Sequence, residues 1–252
     1  EKEFKPKTKS DVEIVPFLYK KYGIKFLNKL NGMFSIVIID EKKNCTYLIR
    51  DRYGEKPLFY IKKNKKIFFS SEISALKKIV NLEINKKNLE INFRCGFLPQ
   101  PLTLYKNLFS VKPGCFLEVG NDKIIEHQWY NLKLNKDLLD NDNFMDAKNT
   151  FLKNFDNSLK LRLRSDVKVG LFISGGLDSN FLLKRMKNFK NKITLLYCNI
   201  PGKFQKEKNT TDINISFDKS RYDFIKSDFN YNFFNKNLVR IVNNFDSILF
   251  DS

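Results

Sequence analysis

The spacing of apolar and polar residues changes character once along the chain. Ser10-Asp11-Val12-Glu13 has the form of a capping box and is expected to open a helix that runs to Tyr22 and ends at Gly23. Pro16 would remove a helix hydrogen bond beyond the first turn, so the helix is expected to bend there or to start later. Met33 to Asp40 and Cys45 to Asp51 read as strands around the polar turn Glu41-Lys42-Lys43-Asn44. Leu58 to Ile61 and Ile67 to Ser70 read as two more, around a Lys-Asn turn. Helical spacing follows at Ile73–Val80 and Lys86–Phe93. A hairpin then runs from Cys115 to Val119, turns at Gly120-Asn121-Asp122 and returns from Lys123 to Tyr130. Short strands joined by tight polar turns predict an antiparallel α+β domain.

After the Asp/Asn-rich stretch Asn131 to Asn143, a linker by composition, the period lengthens. From Asp146 to Arg164, Leu152, Phe155, Leu159 and Leu163 fall on one helical stripe. Val167 to Ile173 is a compact apolar strand, Ser174 to Asp178 a glycine-rich loop, Ser179 to Lys190 a helix with Leu182, Met186 and Phe189 on one face, and Ile193 to Ile200 another apolar strand. Strand, loop, helix, strand is a βαβ unit, so a parallel sheet begins here. The fold class therefore changes near residue 140, which predicts two domains, 1–140 and 141–252. Beyond Pro201, Gly202 to Thr211 reads as loop and Lys219 to Phe229 as a candidate helix. A single βαβ unit cannot cover both faces of a parallel sheet, so the second domain is expected to be incomplete.

Composition adds limits. Hydrophobic residues make up 42% of the 252, enough for a sizeable core. The longest apolar run, around Phe34 to Ile39, is too short to span a membrane, and Glu1 to Ser10 has no signal-peptide character. The net charge of +18 raises the possibility of a polyanion partner such as nucleic acid. All but eight of the 46 basic residues are lysines, however, and they are scattered along the whole chain beside many Asn, Ile and Phe residues. A solvated lysine surface is favoured over a binding stripe. Cys45, Cys95, Cys115 and Cys198 are far apart and form no metal-spaced pair, so free thiols in a reducing cytoplasm are expected. The single histidine, His127, reads as a surface strand residue.

The sharpest chemistry lies in Ser174-Gly175-Gly176-Leu177-Asp178-Ser179, between a strand and a helix. Its glycines let main-chain N–H groups approach an anion, and the helix beyond adds unsatisfied donors and a positive dipole end. Ser174 and Ser179 add hydroxyl donors. Asp178 cannot favour phosphate directly and suggests a bridging Mg²⁺. The lysine and spacing of a Walker A loop are absent, so a departing pyrophosphate suits this cradle better than a transferred phosphoryl group. The competing account is a plain strand-to-helix turn with a polar cap.

Asp166 to Gly170 leading into this loop resembles the pyrophosphate loop of the asparagine synthase family. Leu30-Asn31-Gly32-Met33-Phe34 with Asp40, Arg50 to Tyr60, Phe69-Ser70-Ser71-Glu72-Ile73, and Thr103 to Tyr130 with Val111-Lys112-Pro113-Gly114 and Trp129-Tyr130 are similar to further segments of that family, in family order. The resemblance implies a glutaminase domain of N-terminal-nucleophile type, with stacked antiparallel sheets, followed by an α/β ATP-pyrophosphatase domain, both incomplete. It implies two half-reactions. Glutamine is hydrolysed in the first domain, and its ammonia passes through a channel to an aspartate β-carboxylate adenylated by Mg-ATP in the second. It carries Asp51 over as the carboxylate that holds the α-amino group of glutamine; the competing account is an ion pair with Arg50 or Arg52. It carries Phe172, Ser174, Gly175, Gly176, Asp178 and Ser179 over to ATP and pyrophosphate, and Asp178 to the metal. Cys198 falls on the strand where adenine is met; the competing account is a small buried core residue. The implied protein is a cytoplasmic ligase with no nucleic-acid or membrane partner, and the resemblance allows a homodimer.

The family's N-terminal Cys and Asn-Gly-Glu segment would precede Ser10, and its Gly-Asp-Glu segment and catalytic Lys would follow Ser252, so this chain alone is expected to be inactive. Lys168 and Glu55 replace a proline and an apolar residue of the family and are expected at the surface. Two other readings stand beside this one. A related enzyme could amidate or cyclise another carboxylate, such as a sugar, peptide or β-lactam precursor. A protein of another class could be a non-catalytic regulatory or nucleic-acid-binding chain.

Overall fold

The computed structural model describes residues 4–8, 10–120, 123–133, 143–189, 192–199 and 222–243. The chain divides into two compact units, Glu1–Lys133 with Val239–Ser252, and Leu134–Leu238.

In the first unit, helix α1 spans Ile14–Tyr22, after a 3-10 turn at Asp11–Glu13. Ser10 makes no side-chain cap. The carboxylate of Glu13 instead accepts the backbone N–H groups of Lys7 and Thr8, each at 2.8 Å, so the expected capping box is not formed. The late start places Pro16 in the first turn, where its missing N–H has no helical acceptor to lose.

Strands β1 (Ser35–Asp40), β2 (Cys45–Arg50), β6 (Cys115–Gly120) and β7 (Lys123–Gln128) form one antiparallel sheet in the order β1-β2-β6-β7. Strands β3 (Phe59–Lys63), β4 (Lys66–Ser70) and β5 (Leu108–Ser110) form a second, in the order β4-β3-β5. Helices α2 (Ile73–Lys77) and α3 (Lys86–Cys95) fall between β4 and β5.

Side-chain alternation sorts these strands into layers. Tyr47, Ile49 and Phe116 face Phe26, Leu27 and the α1 residues Leu18 and Tyr19. Their strand neighbours Leu48 and Leu117 face the other way and meet Tyr60 and Ile67 of the second sheet, with Leu58 and Val111 between. The far face of that sheet carries Ile61 and Leu108 onto Ile73 and Leu76 of α2. The result is four layers, helix on sheet on sheet on helix. Each fully buried leucine or isoleucine contributes roughly 1.5–3 kcal/mol.

In the second unit, Asn143 caps α4 (Phe144–Arg162) by accepting the N–H groups of Met145 and Asp146. Strand β8 (Val169–Phe172), helix α5 (Leu177–Met186) and strand β9 (Ile193–Asn199) form the expected βαβ unit, and β8 pairs with β9 in parallel. Leu159 and Leu163 of the helical stripe pack with Leu171, Leu183, Met186 and Leu195. Helix α5 stops earlier than expected, although Phe189 still reaches that core.

Strand β10 (Tyr222–Asp228) is a correction to the sequence reading, which made that segment a candidate helix. Tyr222 and Phe224 stand opposite Ile193 and Leu195, and β9 supplies the parallel backbone partner that no local pattern announces. Helix α6 (Tyr231–Asn243) follows. The expected linker lies mostly outside the described residues, as do the expected loop at 202–211 and the chain end.

Candidate functional site

The chain turns sharply after β2, and Asp51 organises that turn. Its carboxylate is 1% exposed. Oδ1 accepts the N–H groups of Tyr53 (3.1 Å) and Glu55 (3.0 Å), and Oδ2 those of Lys56 (2.9 Å) and Phe34 (3.2 Å). A carboxylate has about four lone-pair sites, and all four are engaged by main chain. The ion-pair account of Asp51 therefore fails, because Arg50 and Arg52 have other partners. The buried guanidinium of Arg50 donates to the carbonyls of Lys56 (3.0 Å), Gly54 (2.7 Å) and Val111 (2.7 Å), and to Gln100 Oε1 (2.9 Å). Burial holds its pKa below the ordinary guanidinium value. Gly54 sits against it at φ +69, where a Cβ would lie 2.9 Å from Pro113 Cγ and 3.0 Å from Arg50 Cζ.

The Leu30–Phe34 loop closes over this turn. Phe34 is tied twice to Asp51, its N–H donating to the carboxylate and its carbonyl accepting the Asp51 N–H at 3.0 Å. Arg52 Nη2 donates to the Leu30 carbonyl at 3.0 Å, and its guanidinium lies 5.1 Å from the Tyr130 ring. Trp129 stacks on Phe34 and donates its indole N–H to the Arg50 carbonyl at 3.1 Å. Four segments singled out in the sequence thus converge: Leu30–Phe34, Arg50–Tyr60, Val111–Gly114 and Trp129-Tyr130. The sequence pattern missed the roles of Arg50 and Gln100, which depend on carbonyls far along the chain.

In the second unit, the glycine-rich loop leaves the carboxyl end of β8. Gly175 has φ +88, a conformation that favours glycine. Ser174 Oγ accepts the Gly176 N–H at 3.2 Å and lies 3.4 Å from Ser179 Oγ. Ser179 Oγ donates to the Gly176 carbonyl at 3.1 Å, and Asn180 Nδ2 to that of Gly175 at 2.9 Å. Gly176 is the N-cap of α5, and among the described residues no side chain caps the first N–H groups of the helix. Asp178 is exposed in the first turn.

Phe172 is 79% exposed at the end of β8. Cys198 is exposed near the end of the adjacent β9, on the face opposite Leu195, so the buried-core account of Cys198 is wrong. The predicted residues therefore gather at one carboxyl edge of a parallel sheet, where ligands of open α/β sheets bind. The donor set fits a phosphate or pyrophosphate. Among the described residues no three acidic, histidine or cysteine side chains form a metal cluster. Asp156 of α4 and Arg185 of α5 form a two-pronged ion pair that buttresses the helix, a partnership without a sequence signal.

The remaining candidates are structural. Cys45 and Cys115 are buried, and burial pushes both thiols up, away from a reactive thiolate. His127 stacks on Phe116 and pairs with Glu118 at 3.0 Å. Lys168 and Glu55 lie at the surface, as expected of those substitutions. Among the described residues no helix is long and apolar enough to cross a membrane.

Residues 1–130 match the family model described as glutamine amidotransferase domain, and residues 150–222 the one described as asparagine synthase. A Methanocaldococcus jannaschii protein given the provisional name asparagine synthetase (glutamine-hydrolyzing) 2 is 33% identical over 205 residues, covering 78% of this chain and 39% of that protein. Asparagine synthetase (glutamine-hydrolyzing) 1 of Bacillus subtilis is 33% identical over 183 residues, covering 72% of this chain and 29% of that protein. A Gibberella zeae protein named Amidase chry2 is 30% identical over 207 residues, 77% of this chain and 30% of its own length. This chain thus spans well under half the length of these relatives. Both family models match in the order in which the Asp51 turn and the glycine-rich loop occur, and the chain belongs to the asparagine synthase family, with a glutamine amidotransferase domain followed by asparagine synthase sequence.

Proposed function

We propose that this chain serves a glutamine-dependent asparagine synthase in the cytoplasm, with residues 1–140 belonging to a glutaminase domain of N-terminal-nucleophile type and 141–252 to an ATP-pyrophosphatase domain. The carrying observation is the pairing, in one chain, of the turn built on Asp51 with a loop that offers uncapped helix-end donors to an anion. Asp51 fixes the Arg52–Lys56 turn, and with its carboxylate engaged by main chain it would serve glutamine by shaping that turn rather than by touching the α-ammonium. Mg-ATP supplies the adenylating group that turns the aspartate β-carboxylate into an acyl donor with AMP as leaving group.

The chain's own residues hold the departing pyrophosphate. Gly175 opens the loop, Ser174 and Ser179 present hydroxyls, and the N–H groups at the start of α5 face the anion. Phe172 and Cys198 line the neighbouring strand ends for the nucleoside, and Asp178 would hold a Mg²⁺ that accompanies the phosphates. A free carboxylate is a poor acyl donor, and activation together with ammonia kept from water solves both problems.

The likeness to a protein named Amidase chry2 makes the acceptor carboxylate the point to test. The test is carboxylate-dependent ATP–pyrophosphate exchange by the full-length enzyme. Exchange with aspartate is expected; exchange with a sugar acid or peptide carboxylate and none with aspartate would overturn the asparagine reading.

A further inference from the structure

The two sheets of the first unit do not close at the end remote from Asp51. A cavity of about 230 Å³ opens there, lined by Thr46, Ile67, Val119 and the lysines Lys62, Lys65 and Lys123. Thr46 is the second residue of β2 and Asp51 follows its end, so the two sites lie roughly 17 Å apart along the strand. Ile67 and Val119 belong to the core between the sheets and form an apolar floor. Among the described residues, every charged side chain of the lining is cationic. Lys65 and Lys123 make no ion pair among the described residues, whereas Lys106, Lys112 and Lys192 on the same lysine-rich chain each do.

The turn that carries Lys65 adds an independent observation. Asn64 and Lys65 join β3 to β4 with φ +49 and +62, a two-residue turn of the type that favours glycine at its second position. A lysine held there, at a cavity mouth, sits in a conformation its side chain disfavours, and such residues concentrate at functional sites.

We propose that this cavity binds a small phosphate monoester, at a site built from other residues than the Asp51 turn. The ammonium groups of Lys65 and Lys123 match a phosphate of charge near −2, and the apolar floor takes a body of a few carbons. The occupant would brace the β3–β4 hairpin against β2 and β6, and so join the sheets at their open end.

The test titrates glycerol phosphate into the 252-residue chain at constant ionic strength and follows the phosphorus resonance. Saturable binding with Kd on the order of 1 mM is expected. The double variant Lys65→Gly/Lys123→Gln relaxes the turn while removing two ammonium groups, so it should fold at least as well and bind at least tenfold more weakly. Lys20→Gln/Lys25→Gln, at exposed lysines elsewhere, should bind within twofold of the parent. The proposal is overturned by absence of saturable binding to 20-fold above that Kd, by binding unchanged in the cavity variant, which would place the phosphate elsewhere, or by equal losses in both variants, which would mean a diffuse lysine effect.

Discussion

Replacing Asp51 by asparagine separates what the residue does for the fold from what it does for a ligand. The four backbone N–H groups divide evenly, Tyr53 and Glu55 on Oδ1, Phe34 and Lys56 on Oδ2. Asparagine keeps one oxygen and turns an NH₂ group toward the other pair, so two donors lose their acceptor and face a third donor. A buried N–H left without a partner costs about 1–3 kcal/mol. Glu55 and Lys56 are exposed and their turn can relax toward water, which reduces the total to about 3 kcal/mol. Trp129 is the chain's single tryptophan and bonds to Arg50 beside the turn, so its fluorescence reports unfolding of this unit. In urea the midpoint should fall by on the order of 1 M or more, with the slope unchanged. A loss below about 1 kcal/mol would refute the reasoning: the four bonds would not be holding the turn, and Asp51 would be a ligand residue alone.

Gly54→Ala should destabilise the same unit by about 2–4 kcal/mol in that assay, through left-handed strain and a forced shift of buried Arg50. Gly23→Ala, at φ 57 and ψ −153, a combination that almost only glycine adopts, should cost about 2–3 kcal/mol although open space surrounds it. Asp40 titrates below the usual carboxylate range, chiefly because the Tyr19 hydroxyl donates to it at 2.7 Å. A depressed folded value means its stabilisation is present above the unfolded value, near pH 4, and is lost as pH falls through the folded one. The difference in urea midpoint between the parent and Asp40→Asn should therefore be full at pH 7 and vanish in strong acid; a difference that grows on acidification would overturn the assignment.

The sequence determined the local geometry and the candidate chemistry. Period-two alternation at Cys45–Arg50 and Cys115–Gly120 marked strands with two different faces, and the run from Val169 through Ser179 marked a βαβ unit with an anion-binding turn, because these depend on residues near each other in the chain. The tertiary structure decided everything that rests on distant partners. The helical reading of Tyr222–Asp228 gave way to a strand because β9 offered a parallel partner. Cys198 came out exposed because the register placed Leu195, not Cys198, on the core face. Asp51, marked by its motif as a ligand residue, proved to be saturated by main-chain donors, one of them 17 residues away. The cavity between Lys65 and Lys123 exists only where two sheets fail to meet. Local torsions and hydrophobic period are written residue by residue, whereas lone pairs, burial and empty space are settled only when segments far apart in the chain pack together.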